Sequence, residues 1–121
     1  MEKVRPTSKS NLPLSHRQLA FLFSQLKQLE TAGLPVDQAF SLLIKSEIKL
    51  KGPLLAMQHQ LAAGRPMSEA GFRIGIFNDT LKTLVHTGEN SGNLAGIYGQ
   101  LADYYRGLDS RNQKMKSRLM L

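Results

Sequence analysis

Apolar residues recur along the chain at intervals of three and four, the spacing that lines one side of a helix. The first clear run is Leu19, Leu22, Phe23, Leu26 and Leu29. Just ahead of it, Ser15 suits an N-cap, Gln18 the returning half of a capping box, and Leu14 a hydrophobic staple against Leu19. A first helix over about residues 16 to 32 follows from these signals. Gly33 suits the left-handed position that ends it, Pro35 suits the first turn of the next helix, and Asp37 complements that helix's dipole.

Val36, Ala39, Phe40, Leu43 and Ile44 supply the apolar face of a second helix. A third follows Pro53 with Leu54, Met57 and Leu61 in register, and stops at Gly64 before Pro66. A short fourth piece is expected after Ser68, carrying Ala70 and Phe72 and weakened by Gly71 and Gly75 at roughly 1 kcal/mol each relative to alanine. Asn78 or Asp79 caps a fifth helix that buries Leu81, Leu84 and Val85. Leu94, Ile97, Leu101 and Leu108 form a sixth, joined by one of Tyr104 and Tyr105, since adjacent residues cannot both face the core.

No useful strand-like alternation occurs. The pattern predicts an all-α fold, an antiparallel six-helix bundle with a long C-terminal helix. If residues 92 to 121 form that helix, it is about 45 Å long at 1.5 Å per residue. Its last part has little apolar face beyond Met115 and Leu119, so it is expected to project.

The length of 121 residues fits one domain with a single core. The sequence has no cysteine, which excludes disulfides and thiolate metal sites and favours a reducing compartment. His16, His59 and His86 show no metal-ligand spacing, and His86 is expected beside the buried face as a hydrogen-bonded packing residue. The first residues lack the apolar stretch of a signal peptide, and no window approaches the ~18 apolar residues of a spanning helix, so the chain reads as soluble.

The formal charge of +7 is unevenly placed. Residues 1 to 17 carry Lys3, Arg5, Lys9 and Arg17 against Glu2, a net of +3. Residues 106 to 121 carry Arg106, Arg111, Lys114, Lys116 and Arg118 against Asp109, a net of +4. Between them, seven basic and seven acidic residues cancel. A small nucleic-acid-binding protein using its basic ends is therefore the alternative reading, but no predicted helix of the neutral body carries a basic face and no tryptophan is present.

Between the fifth and sixth helices lies TGENSGNLAG, Thr87 to Gly96. A phosphate-binding loop needs glycines spaced G-x4-G-K-[ST] after a buried strand; here no lysine follows and the flank is helical. A nucleophilic Ser91 would need a base and an orienting acid; the sequence neither requires nor excludes His86 and Asp103 in those roles, and a serine near a histidine is common by chance. The stretch reads as a corner: Gly88 ends or thins the fifth helix, Ser91 caps the sixth, and Gly92, Gly96 and Gly99 let a neighbouring helix approach. Glu89 is a candidate for a divalent cation or a partner's arginine, but an exposed carboxylate that only hydrates the turn is the favoured reading. Acidic residues are otherwise scattered singly, and neither an enzyme nor a cofactor is expected.

AGLP after a Leu-rich helix, MSEA about thirty residues later, and TGENSGNL leading into LADYYRGLDSRNQKMKSRLML resemble the repeated cytoplasmic domain of the type II secretion system F family. The resemblance covers about Leu22 to Leu121. Its most specific part is G-E-x-S-G-x-L, met by Gly88, Glu89, Ser91, Gly92 and Leu94, with Gly33, Pro35 and Gly64 at the earlier turns. Ser24 stands where the family often has arginine, and Glu30 where an apolar residue is usual.

Residues 1 to 14 read as a flexible basic leader, and the resemblance implies that 15 to 121 are a six-helix cytoplasmic domain ending just before a transmembrane helix. It implies a non-enzymatic part of a bacterial inner-membrane platform, facing the cytoplasm. That platform would couple an assembly ATPase to pilin or pseudopilin assembly, in type II secretion or type IV pilus biogenesis. Its implied partners are that ATPase, inner-membrane recruiter proteins, pilin or pseudopilin and further copies of itself, with no nucleic acid. On the same reading Arg111, Lys114, Lys116 and Arg118 are juxtamembrane residues that meet anionic lipid.

Overall fold

The computed structural model describes residues 14–120, with side chains described through residue 114. Among the described residues the chain is all helical. α1 is His16–Thr31, α2 Val36–Ser46, α3 Lys51–Ala62, α4 Met67–Arg73, α5 Asp79–Ser91 and α6 Leu94–Met120, with a 3-10 turn at Ile48–Leu50 joining α2 to α3.

α1 begins where its sequence signals place it. Ser15 Oγ accepts from the Gln18 amide at 3.1 Å, and Gln18 Oε1 accepts from the Ser15 amide at 2.9 Å, closing the capping box. Leu14 and Leu19 are both buried. Leu14 therefore packs into the core. The remainder of the expected leader lies outside the described residues.

Gly33 at φ 75°, Gly64 at φ 94° and Gly75 at φ 87° each follow a helix in the left-handed conformation. In each case the next residue donates back into the last turn: Leu34 to the Leu29 carbonyl at 3.2 Å, Arg65 to Gln60 at 3.3 Å and Ile76 to Gly71 at 3.0 Å. These are Schellman closures, which satisfy carbonyls that a helix end otherwise leaves open. Gly75 thus stops α4 from outside and does not weaken it.

The core gathers on Phe23. Its ring lies 5.8 Å from Phe77, 6.1 Å from Tyr98 and 6.2 Å from Tyr105, so α1, the segment after α4, and α6 meet there. α1 packs along α6, α2 against α3, and α5 against both α4 and α6. Tyr105 takes the core side of α6 and Tyr104 the surface, as adjacency demands.

Several sequence expectations need correction. Val36 is exposed, because it is the first residue of α2 and the core contacts begin at Ala39. α3 starts at Lys51, ahead of Pro53, which sits in the first turn where its missing N–H costs nothing. α4 starts at Met67, one residue before Ser68, and Phe72 is exposed while Phe77 fills the core. Leu84 is exposed along an open groove between α5 and α6, beside Leu81, Ile97 and Leu101.

The glycines also divide differently. A β-carbon on Gly71 would run into the Phe77 ring, and one on Gly88 would stand 2.9 Å from Ile97 Cγ1 and 3.2 Å from Leu94 Cδ2. These two positions need the absence of a side chain. Gly92 has nothing within 4 Å of such a carbon, one on Gly96 would first meet the Asn93 side chain at the end of its own turn, 2.5 Å away, and Gly99 faces the flexible Lys27 chain on α1.

Candidate functional site

Two chain segments that carry the motif residues meet where α4 begins. Pro66 occupies the cap position of α4 and offers no side-chain acceptor, so the first amides of this short helix need one from elsewhere. Glu89 supplies it from the last turn of α5. Its Oε2 accepts from the Ser68 amide at 2.9 Å and its Oε1 from the Ser68 hydroxyl at 2.7 Å. Ser68 is 2 % exposed and the Glu89 side chain 16 %. One carboxylate thereby serves as the missing cap and satisfies a buried hydroxyl, and its charge sits against the positive end of the α4 dipole.

Glu89 is accordingly not an exposed carboxylate that only hydrates the turn: both of its oxygens accept from Ser68. Among the described residues no cluster of three His, Asp or Glu side chains could hold a metal ion. Its remaining neighbour is His86, whose Nδ1 lies 3.5 Å from Oε1. His86 is exposed, not packed, and its Nε2 lies 3.1 Å from the Asn90 side-chain amide.

A second contact ties α4 to α5 on the surface. Glu69 pairs with Arg73 at 3.0 Å and with Lys82 at 3.5 Å, and Lys82 Nζ sits 4.2 Å from the centre of the Phe72 ring. The hydrogen bond from Arg73, helped by Lys82, holds the Glu69 carboxyl below its ordinary range.

The rest of the corner is backbone geometry. Gly88 lies inside α5 with its bare face against the first turn of α6, and Leu94, the first residue of α6, packs over it. Ser91 does not cap α6. It is the last residue of α5, with its hydroxyl 3.5 Å from the Gly88 carbonyl. Gly92 follows at φ 71°, where the chain reverses, and Asn93 is the residue that precedes α6. The sequence separation of 21 residues between Ser68 and Glu89 hid their contact. The available signal was negative: a proline opening a helix with no capping side chain of its own.

Away from this corner, Gly33 and Gly64 close α1 and α3, and Pro35 is the cap residue of α2. Arg111 and Lys114 are exposed on α6; the side chains of Lys116 and Arg118 lie outside the described residues. No described helix is long and apolar enough to cross a membrane.

Fold and clamp define an all-helical domain whose signature residues hold helices together. The particular family is explicit: the family model described as "Type II secretion system (T2SS), protein F" matches residues 22–120, and the chain belongs to that family. It is 28 % identical over 109 residues to the type II secretion system protein F of Vibrio cholerae serotype O1, covering 88 % of this chain and 26 % of that protein. It is 31 % identical over 114 residues to the type IV pilus assembly protein TapC of Aeromonas hydrophila, covering 90 % of this chain and 27 % of that protein. The chain spans about a quarter of the length of these curated relatives. Secretion and pilus biogenesis are thus the setting of the family, and the nucleic-acid alternative gains no support from it.

Proposed function

We propose that this chain is a non-enzymatic, cytoplasm-facing interaction domain of an inner-membrane assembly platform. In this reading it transmits the motion of an assembly ATPase to the stacking of pilin or pseudopilin subunits. The observation that supports it most is the family match over residues 22–120, which includes the residues that close the α4–α5–α6 corner. A domain that passes force between partners needs its helices joined by more than apolar contact, and the Glu89 clamp ties α4 to α5 with two charge-assisted hydrogen bonds.

The partners proposed are the assembly ATPase, inner-membrane recruiter proteins, pilin or pseudopilin, and further copies of the platform. Beyond Lys114, α6 would continue toward the bilayer, with Arg111, Lys114, Lys116 and Arg118 on the cytoplasmic side, where basic residues set topology. The test is a pull-down of the cognate ATPase and recruiter by the folded chain and by the longer platform protein. Capture by both supports direct contact. Capture by the longer protein alone places the contact elsewhere on it.

A further inference from the structure

Three of the seven basic residues of the neutral body, Lys45, Lys49 and Lys51, fall close together in sequence, and the fold carries them to the end of the bundle where α6 leaves it. α2 delivers the chain to that end at Lys45, the 3-10 turn crosses it with Ile48 and Lys49, and α3 departs at Lys51. The turn sits beside the start of α1, since Glu47, Lys49 and Leu50 share a shallow cleft with Ser15, Arg17 and Phe21. The start of α1 lies in turn against the distal part of α6: His16 Nδ1 is 3.4 Å from the Asn112 side-chain nitrogen, and Arg17 Nε is 3.8 Å from Asp109 Oδ2.

One end of the molecule therefore presents Arg17, Lys45, Lys49, Lys51, Arg111 and Lys114, all exposed, against Glu47 and Asp109. The opposite end, where Glu30, Val36 and Tyr98 line a common cleft, carries Glu30, Asp37 and Glu89 beside Lys27 and Arg65. Two features at the basic end are unfavourable for folding alone. Ile48 is 74 % exposed, the most of any large apolar side chain described. α3 has no acidic residue in its first turn and opens on Lys51, two positions after Lys49, placing positive charge at the positive end of the helix dipole.

We infer that the Lys45–Lys51 corner is a second lipid contact, seating Ile48 among the headgroups of an anionic bilayer while the flanking lysines neutralise the lipid charge. An apolar side chain ringed by amines matches such a surface: the lysine ammonium groups stay with the phosphates as the isoleucine enters the acyl boundary. With α6 reaching the bilayer at the same end, two contacts separated by some 60 residues of sequence fix the tilt of the domain, which one helix alone would leave free. The inference rests on the proposed placement at an inner membrane for its source of lipid, and on the charge complementarity of this end for its occupant.

The experiment uses the 121-residue chain, whose lack of cysteine permits a single label. Ile48→Cys carries an environment-sensitive fluorophore, and Asp37→Cys on the opposite end serves as the control. Vesicles of phosphatidylglycerol with phosphatidylcholine are compared with vesicles of phosphatidylcholine alone. The label at position 48 is expected to shift to the blue and to be quenched by lipid-borne quenchers on anionic vesicles only, while the label at position 37 stays aqueous. Lys49→Gln and Lys51→Gln are each expected to weaken vesicle binding about fivefold.

The inference is overturned if anionic vesicles do not bind, or if the chain binds while the label at position 48 stays in water. It is equally overturned if only Arg111→Gln and Lys114→Gln affect binding, or if the label shifts without lipid as protein concentration rises, which would assign the corner to a second copy. Capture of the ATPase by a chain that fails the vesicle test would leave the platform reading standing and remove the lipid contact alone.

Discussion

At Ser68 the structure turns on which atom satisfies a single buried amide. Removing Glu89 leaves that amide and the neighbouring hydroxyl without their acceptor, so Glu89→Ala is expected to lower stability by about 1 to 3 kcal/mol in urea unfolding. Ser68→Ala should cost less, because the amide keeps its partner, and the double variant should cost less than the sum. An unchanged unfolding midpoint in Glu89→Ala would mean that water replaces the carboxylate. The glycines give a contrast of mechanism at the same scale. Gly71→Ala forces a methyl into the Phe77 ring and is expected to cost about 1 to 3 kcal/mol through overpacking. Gly92→Ala meets no atom but adopts a left-handed backbone, an expected loss of about 1 to 2 kcal/mol that comes from the backbone alone. A further substitution to asparagine, which tolerates that conformation, should recover part of the loss at position 92 and none at position 71. Thermal melts of the four variants check this.

At the scale of elements, local chemistry and tertiary contact share the work unequally. α1 carries its own start signal, and Ser15→Ala is expected to cost about 1 kcal/mol, read from the unfolding midpoint. α4, with seven residues and a proline at its cap, is too short to persist alone and depends on Glu89, on the Glu69 pairs and on Phe77 beneath Gly71. The helices easiest to read in the sequence were those with their own caps, α1 and α5, where Asn78 accepts from the Leu81 amide at 2.8 Å. The hardest is α4: it starts at Met67, one residue before Ser68, and the aromatic side chain that fills the core, Phe77, comes from the segment after the helix and not from Phe72 within it. The 3-10 turn at Ile48–Leu50 gave no periodic signal at all, being one turn long.

At the scale of the whole molecule, aromatic packing ties the fold to pH. Burial pushes the Tyr98 hydroxyl well above its ordinary value of 10.0, and the nearby carboxylates of Glu30 and Glu89 push in the same direction. The folded state therefore holds that proton where the unfolded chain releases it. The stability involved is intact below pH 10.0 and declines as the pH rises above it toward the folded value. Alkaline unfolding followed by circular dichroism, with Tyr98→Phe as comparison, checks the sign: the wild type should lose more stability above pH 10 than the variant does. Equal losses would trace the alkaline transition to other groups. Tyr105 is raised in the same way by its own burial and by Tyr104, so its ionisation adds to the decline and remains in the variant.

The sequence by itself determined the helical class, most helix boundaries within a residue or two, the stops at Gly33 and Gly64 and the family motif. Each of these depends on near neighbours in the chain: apolar spacing, a cap three residues away, a glycine without a β-carbon. The tertiary structure alone decided that Glu89 closes α4, that Gly71 and Gly88 are the tight contacts, and that Lys45, Lys49 and Lys51 join Arg111 and Lys114 at one end. Those facts depend on residues brought together from 21 or more positions apart, or on which of several equally apolar side chains fills a given space. A one-dimensional pattern of spacing and charge carries the periodicity of each helix but not the distances between helices, and at this corner the distances set the chemistry.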